Sequence, residues 1–121
     1  MVDPFPSYEK FETEVLLNAA QDLDLVLIAW WIANTFYTDE PVSCRLAMAE
    51  LAIRSLPDAG LIALYRSRQM DAEHEVPIAQ YEDVLKRWDT WTGVTDDPDN
   101  QIFFAATDAG RKAYRDRVSN P

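Results

Sequence analysis

Histidine, cysteine and glycine, on which most catalytic and metal-binding motifs depend, are few in this chain, and its many carboxylates are not placed by any such motif. His74 is the single histidine, and in the run AEHEV an extended backbone would point its neighbours Glu73 and Glu75 to the opposite side. No Ser or Cys stands in a sequence context that pairs it with a histidine. Three separate glycines provide no phosphate-binding loop. We therefore expect a protein that is not an enzyme and that uses neither a metal nor a cofactor.

The single thiol and the apolar runs indicate the environment of the chain. Cys44 is the only cysteine, which excludes an internal disulfide and a cluster of thiolate zinc ligands. The first residues, MVDPFPSYEKFETE, lack the pattern of a secretory signal, so we expect a reducing, cytoplasmic environment. The longest apolar run, LVLIAWWIA, has nine residues, fewer than the roughly twenty that a membrane-spanning helix needs. The sequence therefore predicts no membrane contact.

Charge is distributed unevenly along the chain. Eleven basic and 21 acidic residues give a net charge of -10 over 121 residues, which repels DNA at long range. Residues 1–41 and 71–100 each carry -7, whereas residues 42–70 and 101–121 each carry +2. A contact with DNA would therefore be confined to the positive segments, and the acidic segments favour a basic protein partner.

Apolar periodicity predicts the helices of a single domain. Residues 1–7 contain two prolines and predict an extended arm. Apolar residues then recur at three- and four-residue steps from Tyr8 to about Asn34, which predicts a long helix, either continuous or broken near Gln21. The second half of this helix is apolar on nearly every face, which indicates the centre of the domain or a homodimer interface. The residues concerned are Leu23, Leu27, Trp30 and Trp31.

The remainder of the chain predicts three more helices and a small sheet. TDEP begins a second helix from Val42 to Leu56, and PDAG ends it. LIALYR and QIFFAAT predict strands, and between them IAQYEDVLKRWDTW predicts a third helix within an acidic insert of residues 68–100. The last helix starts at Asp108, with Thr107 as its cap. The fold class is α+β, mostly helical, with about four helices and a two- or three-stranded antiparallel sheet.

Two short motifs resemble the winged helix-turn-helix superfamily. LPDAGLIALYR is similar to the end of the recognition helix and the first wing strand of MarR-like regulators, and FFAATDAGRKAY is similar to the LTxxGR that follows their second wing strand. The resemblance covers roughly residues 42–114. This chain departs from the family in having a large, helix-containing insert where a short wing tip would stand, and in having one long helix between Asp39 and Gly60.

The resemblance implies where DNA would be contacted. Arg45 and Arg54 would lie on the recognition helix, and Arg66 and Arg68 would lead into the wing, where such side chains bind phosphates. The acidic insert would stand beside them and would repel DNA. The alternative interpretation of these arginines is a solvated surface with a few ion pairs.

Two functional hypotheses follow. The first is a non-enzymatic, winged-helix-like regulatory protein that acts through protein–protein contacts, as a homodimer or with a basic protein partner. The second is a sequence-specific, DNA-binding transcription regulator that reads DNA with the helix Val42 to Leu56. The net charge favours the first.

Overall fold

The computed structural model describes residues 8–21, 23–66, 71–92 and 101–119. The predicted extended arm, Arg68 and residues 93–100 of the predicted insert lie outside the described residues. Six helices are described: α1 (Tyr8–Gln21), α2 (Leu27–Phe36), α3 (Val42–Asp58), α4 (Tyr81–Leu85), α5 (Trp88–Thr92) and α6 (Asp108–Ser119). The strands are β1 (Asp24–Leu25), β2 (Ile62–Tyr65) and β3 (Phe103–Ala106). The predicted α+β, mostly helical class is confirmed, with six helices in place of about four.

The predicted long first helix is two helices with a strand between them. α1 ends at Gln21, close to the predicted break, and α2 begins at Leu27. The Leu25 backbone N–H donates to its neighbour Asp24 Oδ1 at 2.8 Å, an arrangement that competes with helical hydrogen bonding. The strand itself was not predicted, because two residues carry no periodicity and β1 exists only through its pairing with β3.

The helix α3 is continuous, and its end follows the predicted signals. It extends two residues beyond the predicted Leu56 and includes Pro57 in its last turn. Gly60 then adopts a positive φ of 76°, which a residue without a Cβ reaches at little cost. The backbone N–H groups of Gly60 and Leu61 donate to Pro57 O and Leu56 O. These two bonds form a Schellman motif, which directs the chain straight into β2.

The three strands form one antiparallel sheet in the order β1-β3-β2. β3 is central, and all four of its residues are buried. Its partners lie far away in the sequence, since Asp24 pairs with Phe104 and Ile62 pairs with Ala106. The sheet therefore joins the N-terminal, middle and C-terminal parts of the chain around one core. The largest fully buried core side chains include Phe11, Leu16, Tyr37, Ile53, Leu56, Leu64, Ile102 and Phe104.

The described part of the insert folds back along β2. Val76 N donates to Leu64 O at 2.8 Å, and Tyr65 pairs with Glu75 in an isolated bridge. Leu64 N donates to the Tyr81 hydroxyl at 3.3 Å. These contacts cover the edge of β2 that faces away from β3, so its backbone groups are not available to another chain.

The predicted third helix is interrupted. Ile78–Gln80 form a 3₁₀ turn that leads into α4, and α5 follows after a two-residue break. Thr90 Oγ1 donates to Val84 O at 2.7 Å, and Trp91 Nε1 donates to Leu85 O at 2.8 Å. These side chains satisfy carbonyl groups at the end of α4, which fixes the break in place.

The start of α6 matches the sequence prediction. Thr107 Oγ1 accepts a hydrogen bond from Gly110 N at 3.0 Å, as an N-cap does, and donates to Gly60 O at 2.7 Å. Gly110 allows the helix to approach the chain that leaves α3, because a Cβ at this position would stand 1.9 Å from Leu61 O. The cap and the glycine thus bind α6 to the entrance of β2.

Candidate functional site

The helices α2 and α3 form the pair that would carry a recognition surface. Residues 37–41 join them, and Tyr37 in this connection is buried against Phe11 with ring centroids 5.5 Å apart. On α3 the side that faces the core bears Ala49, Ala52, Ile53 and Leu56. The opposite side of α3 is left to solvent and to neighbouring charged residues.

Arg45 lies on the side of α3 that faces α2. Its Nη1 donates to Asn34 Oδ1 at 3.1 Å, and its Nε is buried without a hydrogen-bond partner among the described residues. Helical spacing places it in the same stripe as the buried Ala49 and Ala52. The guanidinium group therefore connects two helices, and it does not project from the exposed side of α3.

Arg54 lies on the exposed side of α3, where two carboxylates bind it. Its Nη2 donates to Glu82 Oε1 at 3.0 Å, and its Nε lies 3.2 Å from Oε2. Glu50, one turn earlier on the same helix, lies 3.6 Å from Nη1. The hydrogen bond from Arg54 and its charge hold the pKa of Glu82 below its usual value. The positive charge of Arg54 is therefore already balanced within the protein.

Of the other two predicted arginines, the structure describes one. Arg66 follows β2, and its Nη2 donates to Gln80 Oε1 at 3.1 Å. Arg68 lies outside the described residues. The three described arginines of the predicted set therefore make different contacts: Arg45 joins two helices, Arg54 pairs with α4, and Arg66 contacts the 3₁₀ turn.

The exposed side of α3 is apolar and slightly acidic. Ser43, Ala47 and Leu51 are exposed along it, and Leu51 retains 45% of its accessible surface. The charged side chains on this side are Glu50, Arg54 and Asp58, which sum to -1. No cationic group on this side of α3 is left for a phosphate, which is what DNA affinity chiefly requires.

The apolar residues of the predicted dimer or core helix fall into different environments. Leu27 is buried in the core, and Leu23 and Trp30 are half-buried. Trp31 is 59% exposed, so this indole ring is not part of the core. The four residues do not form one continuous face.

The single histidine of the chain pairs with a nearby carboxylate. His74 Nδ1 lies 2.6 Å from Asp71 Oδ1, and this neighbour lowers the pKa of the Asp71 carboxyl. The backbone N–H of His74 also donates to Asp71 Oδ1, at 3.0 Å, and this bond closes a local turn. Among those residues no three His, Cys, Asp or Glu side chains are arranged to hold a metal ion.

Comparison with known proteins adds no assignment. No family model matches the chain, and no curated protein or solved structure is significantly similar to it. No helix in the described ranges has the length and apolar character needed to cross a membrane. The function must therefore be inferred from the surfaces of the molecule itself.

Three residues at this site were not singled out from the sequence. Glu82 lies 28 positions after the arginine that it binds, and no local pattern links positions so far apart. Ile78 was expected on the apolar face of a helix, yet it is 81% exposed. Glu50 carried a usable signal, because it precedes Arg54 by four residues on a predicted helix.

Proposed function

We propose that this protein is a non-enzymatic regulatory protein of winged-helix type that acts by binding other proteins. The observation that carries the proposal is the neutralisation of Arg54 by Glu82 and Glu50 on the exposed side of α3. A helix that read DNA would present free cations there. This helix presents Ala47 and Leu51 together with carboxylates.

The order of the elements supports the winged-helix part of the proposal. α2 and α3 are joined by a short connection, as in helix-turn-helix units. β2 follows α3 directly, and β3 returns antiparallel to it before the Thr-capped α6. These are the elements on which the resemblance to MarR-like regulators rests. The part of the chain between β2 and β3 replaces a short wing tip.

The partner that the charge favours is a basic protein, and a second copy of the chain is the other candidate. Residues 1–41 and 71–100 carry -14 together, which would speed association with a cationic surface and make it sensitive to salt. Such a protein could antagonise a DNA-binding protein or neutralise a basic toxin. The exposed Trp31 would suit a homodimer, since aromatic residues are enriched in interfaces.

DNA binding remains the second candidate, because the helix pair and the following strands are the elements that DNA-binding regulators of this superfamily use. For DNA to bind, Arg54 would have to leave Glu82, and Arg45 would have to leave Asn34. Both movements oppose contacts that exist in the free protein.

Electrophoretic mobility shift on genomic fragments at about 50 mM salt separates the two candidates, because phosphate contacts are strongest at low salt. We expect no shift. In parallel, light scattering and pull-down at low and high salt should detect either a dimer or a partner that is lost at high salt. A sequence-dependent DNA shift, or a strict monomer with no salt-sensitive partner, would overturn the proposal.

A further inference from the structure

A groove of about 440 Å³ lies between the C-terminal half of α3 and the segment Ile78–Leu85. We call it the α3–α4 groove. Its apolar lining consists of Ile53, Pro57, Ile78, Ala79 and Leu85. Ile53 and Leu85 are buried and belong to the core, whereas Ile78 is 81% exposed. The groove therefore has a packed apolar interior and an apolar side chain that stands in water at its edge.

Ile78 is the most exposed of the large apolar side chains in the described ranges. It stands in the 3₁₀ turn between Pro77 and α4, where the backbone is held by the bond from Gln80 N to Pro77 O. Covering an exposed isoleucine side chain removes apolar surface from water, which stabilises a complex. A partner that placed an apolar side chain against Ile78 would gain this free energy with little rearrangement of the turn.

The charge around the groove selects the partner. Three charged residues line it, namely Arg54, Asp58 and Glu82. Arg54 is bound to Glu82 and Glu50, so it offers no charge to an anionic ligand. The Asp58 side chain is exposed, and it has no hydrogen-bond or ion-pair partner among the residues that the structure describes. Within the described ranges, the groove therefore carries one carboxylate without a side-chain partner beside an exposed apolar surface.

We propose that the α3–α4 groove binds a basic amphipathic segment of a partner protein, with an apolar residue on Ile78 and a Lys or Arg side chain on Asp58. The proposal rests on the protein-binding function proposed above and names its surface. Helices whose apolar face enters a groove are a common form of peptide recognition. The basic residues of such a segment would also be drawn by the net charge of -10.

Nuclear magnetic resonance titration of the full ¹⁵N-labelled chain tests this proposal with a defined probe. The probe is a synthetic helical peptide of 14 residues made only of Leu and Lys, with the leucines on one face. We expect the largest amide shifts in residues 53–58 and 78–85. A Lys-only peptide of the same length should bind at least about tenfold more weakly, because it lacks the apolar contact. A Leu–Glu peptide should also bind at least about tenfold more weakly, because it loses the contact with Asp58 and is repelled by the net charge of -10.

Substitutions separate the groove from the general acidic surface. Ile78→Asp should weaken the Leu–Lys peptide by about tenfold or more, and Asp58→Asn by about twofold to fivefold. Val118→Asp is the matched control, since Val118 is 53% exposed on α6 and does not line the groove. It should bind the peptide as the unmodified chain does.

Three results would overturn the groove proposal. They are shifts outside the groove, equal weakening by Ile78→Asp and Val118→Asp, and self-association of the chain through Ile78, which would assign the groove to a second copy. The titration does not depend on the mobility-shift experiment. If the chain shifts DNA and also binds the peptide in the groove, only the proposed function is contradicted. If a salt-sensitive partner binds the Ile78→Asp variant as well as the unmodified chain, only the groove proposal is contradicted.

Discussion

Arg54 of α3 and Glu82 of α4 form a two-pronged ion pair, in which Nη2 lies 3.0 Å from Oε1 and Nε lies 3.2 Å from Oε2. The pair joins α3 to the segment between β2 and β3. It therefore decides both the charge of the exposed side of α3 and the position of one wall of the α3–α4 groove. Removing Glu82 would leave Arg54 with only the longer contact to Glu50, at 3.6 Å.

The ion pair predicts a pH dependence of stability. Arg54 lowers the pKa of Glu82 in the folded chain, so folding favours the ionised carboxylate. The contribution of the pair is present above the usual carboxyl pKa of about 4.3, and it is lost as pH falls through the lowered value. Carbon-detected NMR titration of the Glu82 carboxyl should show the lowered pKa in the unmodified chain. In Arg54→Gln the pKa should return toward the usual value, and an unchanged pKa would contradict the contact.

Gly110→Ala should be one of the most destabilising single substitutions in the chain. In Gly110→Ala the added Cβ would meet the backbone oxygen of Leu61, and α6 would have to move away from β2. We expect a loss of about 3 kcal/mol or more in the free energy of unfolding, measured by urea denaturation. Gly60→Ala is the comparison, because a Cβ there meets no atom within 4 Å. Its positive φ should cost only about 1–2 kcal/mol, and equal losses would refute the steric explanation.

The Thr107 side chain should stabilise the fold through its hydroxyl group. The hydroxyl both caps Gly110 N and donates to Gly60 O, so Thr107→Ala removes two hydrogen bonds at once. We expect a loss of about 1–2 kcal/mol in urea denaturation. Thr107→Ser keeps the hydroxyl and should recover most of the loss. If Ser and Ala were equally destabilising, the methyl group and not the hydroxyl would be the stabilising part.

The Tyr81 hydroxyl should contribute to stability through the contact that covers the edge of β2. Tyr81→Phe removes the hydroxyl that accepts from Leu64 N and leaves that backbone donor without its partner. The expected cost is about 1 kcal/mol, with faster amide hydrogen exchange at Leu64. Exchange that stays unchanged at Leu64 would show that the hydroxyl does not protect the strand edge.

Removing the Tyr8 hydroxyl, unlike removing the Tyr81 hydroxyl, should not destabilise the chain at neutral pH. Its Oη is buried without a partner among the described residues, so Tyr8→Phe should leave the free energy of unfolding unchanged or raise it. Burial, and next the nearby Glu12, raise the pKa of the Tyr8 hydroxyl. The contribution of the neutral Tyr8 hydroxyl to stability is therefore present below the usual pKa of about 10, and it is lost as pH rises above that value. Tyr8→Phe should unfold less readily than the unmodified chain at alkaline pH, and a parallel pH profile would contradict this burial.

The sequence by itself determined the elements whose signals are local. The Gly60 end of α3, the strands β2 and β3, and the Thr107 cap each rest on a few adjacent residues whose backbone preferences agree. The position of Gly110 against another backbone could also be anticipated, because only glycine leaves that room. The periodicity left open whether the first helix is broken near Gln21.

Only the tertiary structure decided what the charged and apolar residues do. Arg54 could equally have faced solvent or phosphate, and Glu82, 28 positions away, neutralises it because the insert folds back on α3. Trp31 and Ile78 fit helical apolar patterns, yet both are largely exposed. β1 has two residues and forms through pairing with β3. Long-range contacts of this kind depend on how the elements pack, which periodicity along one chain does not encode.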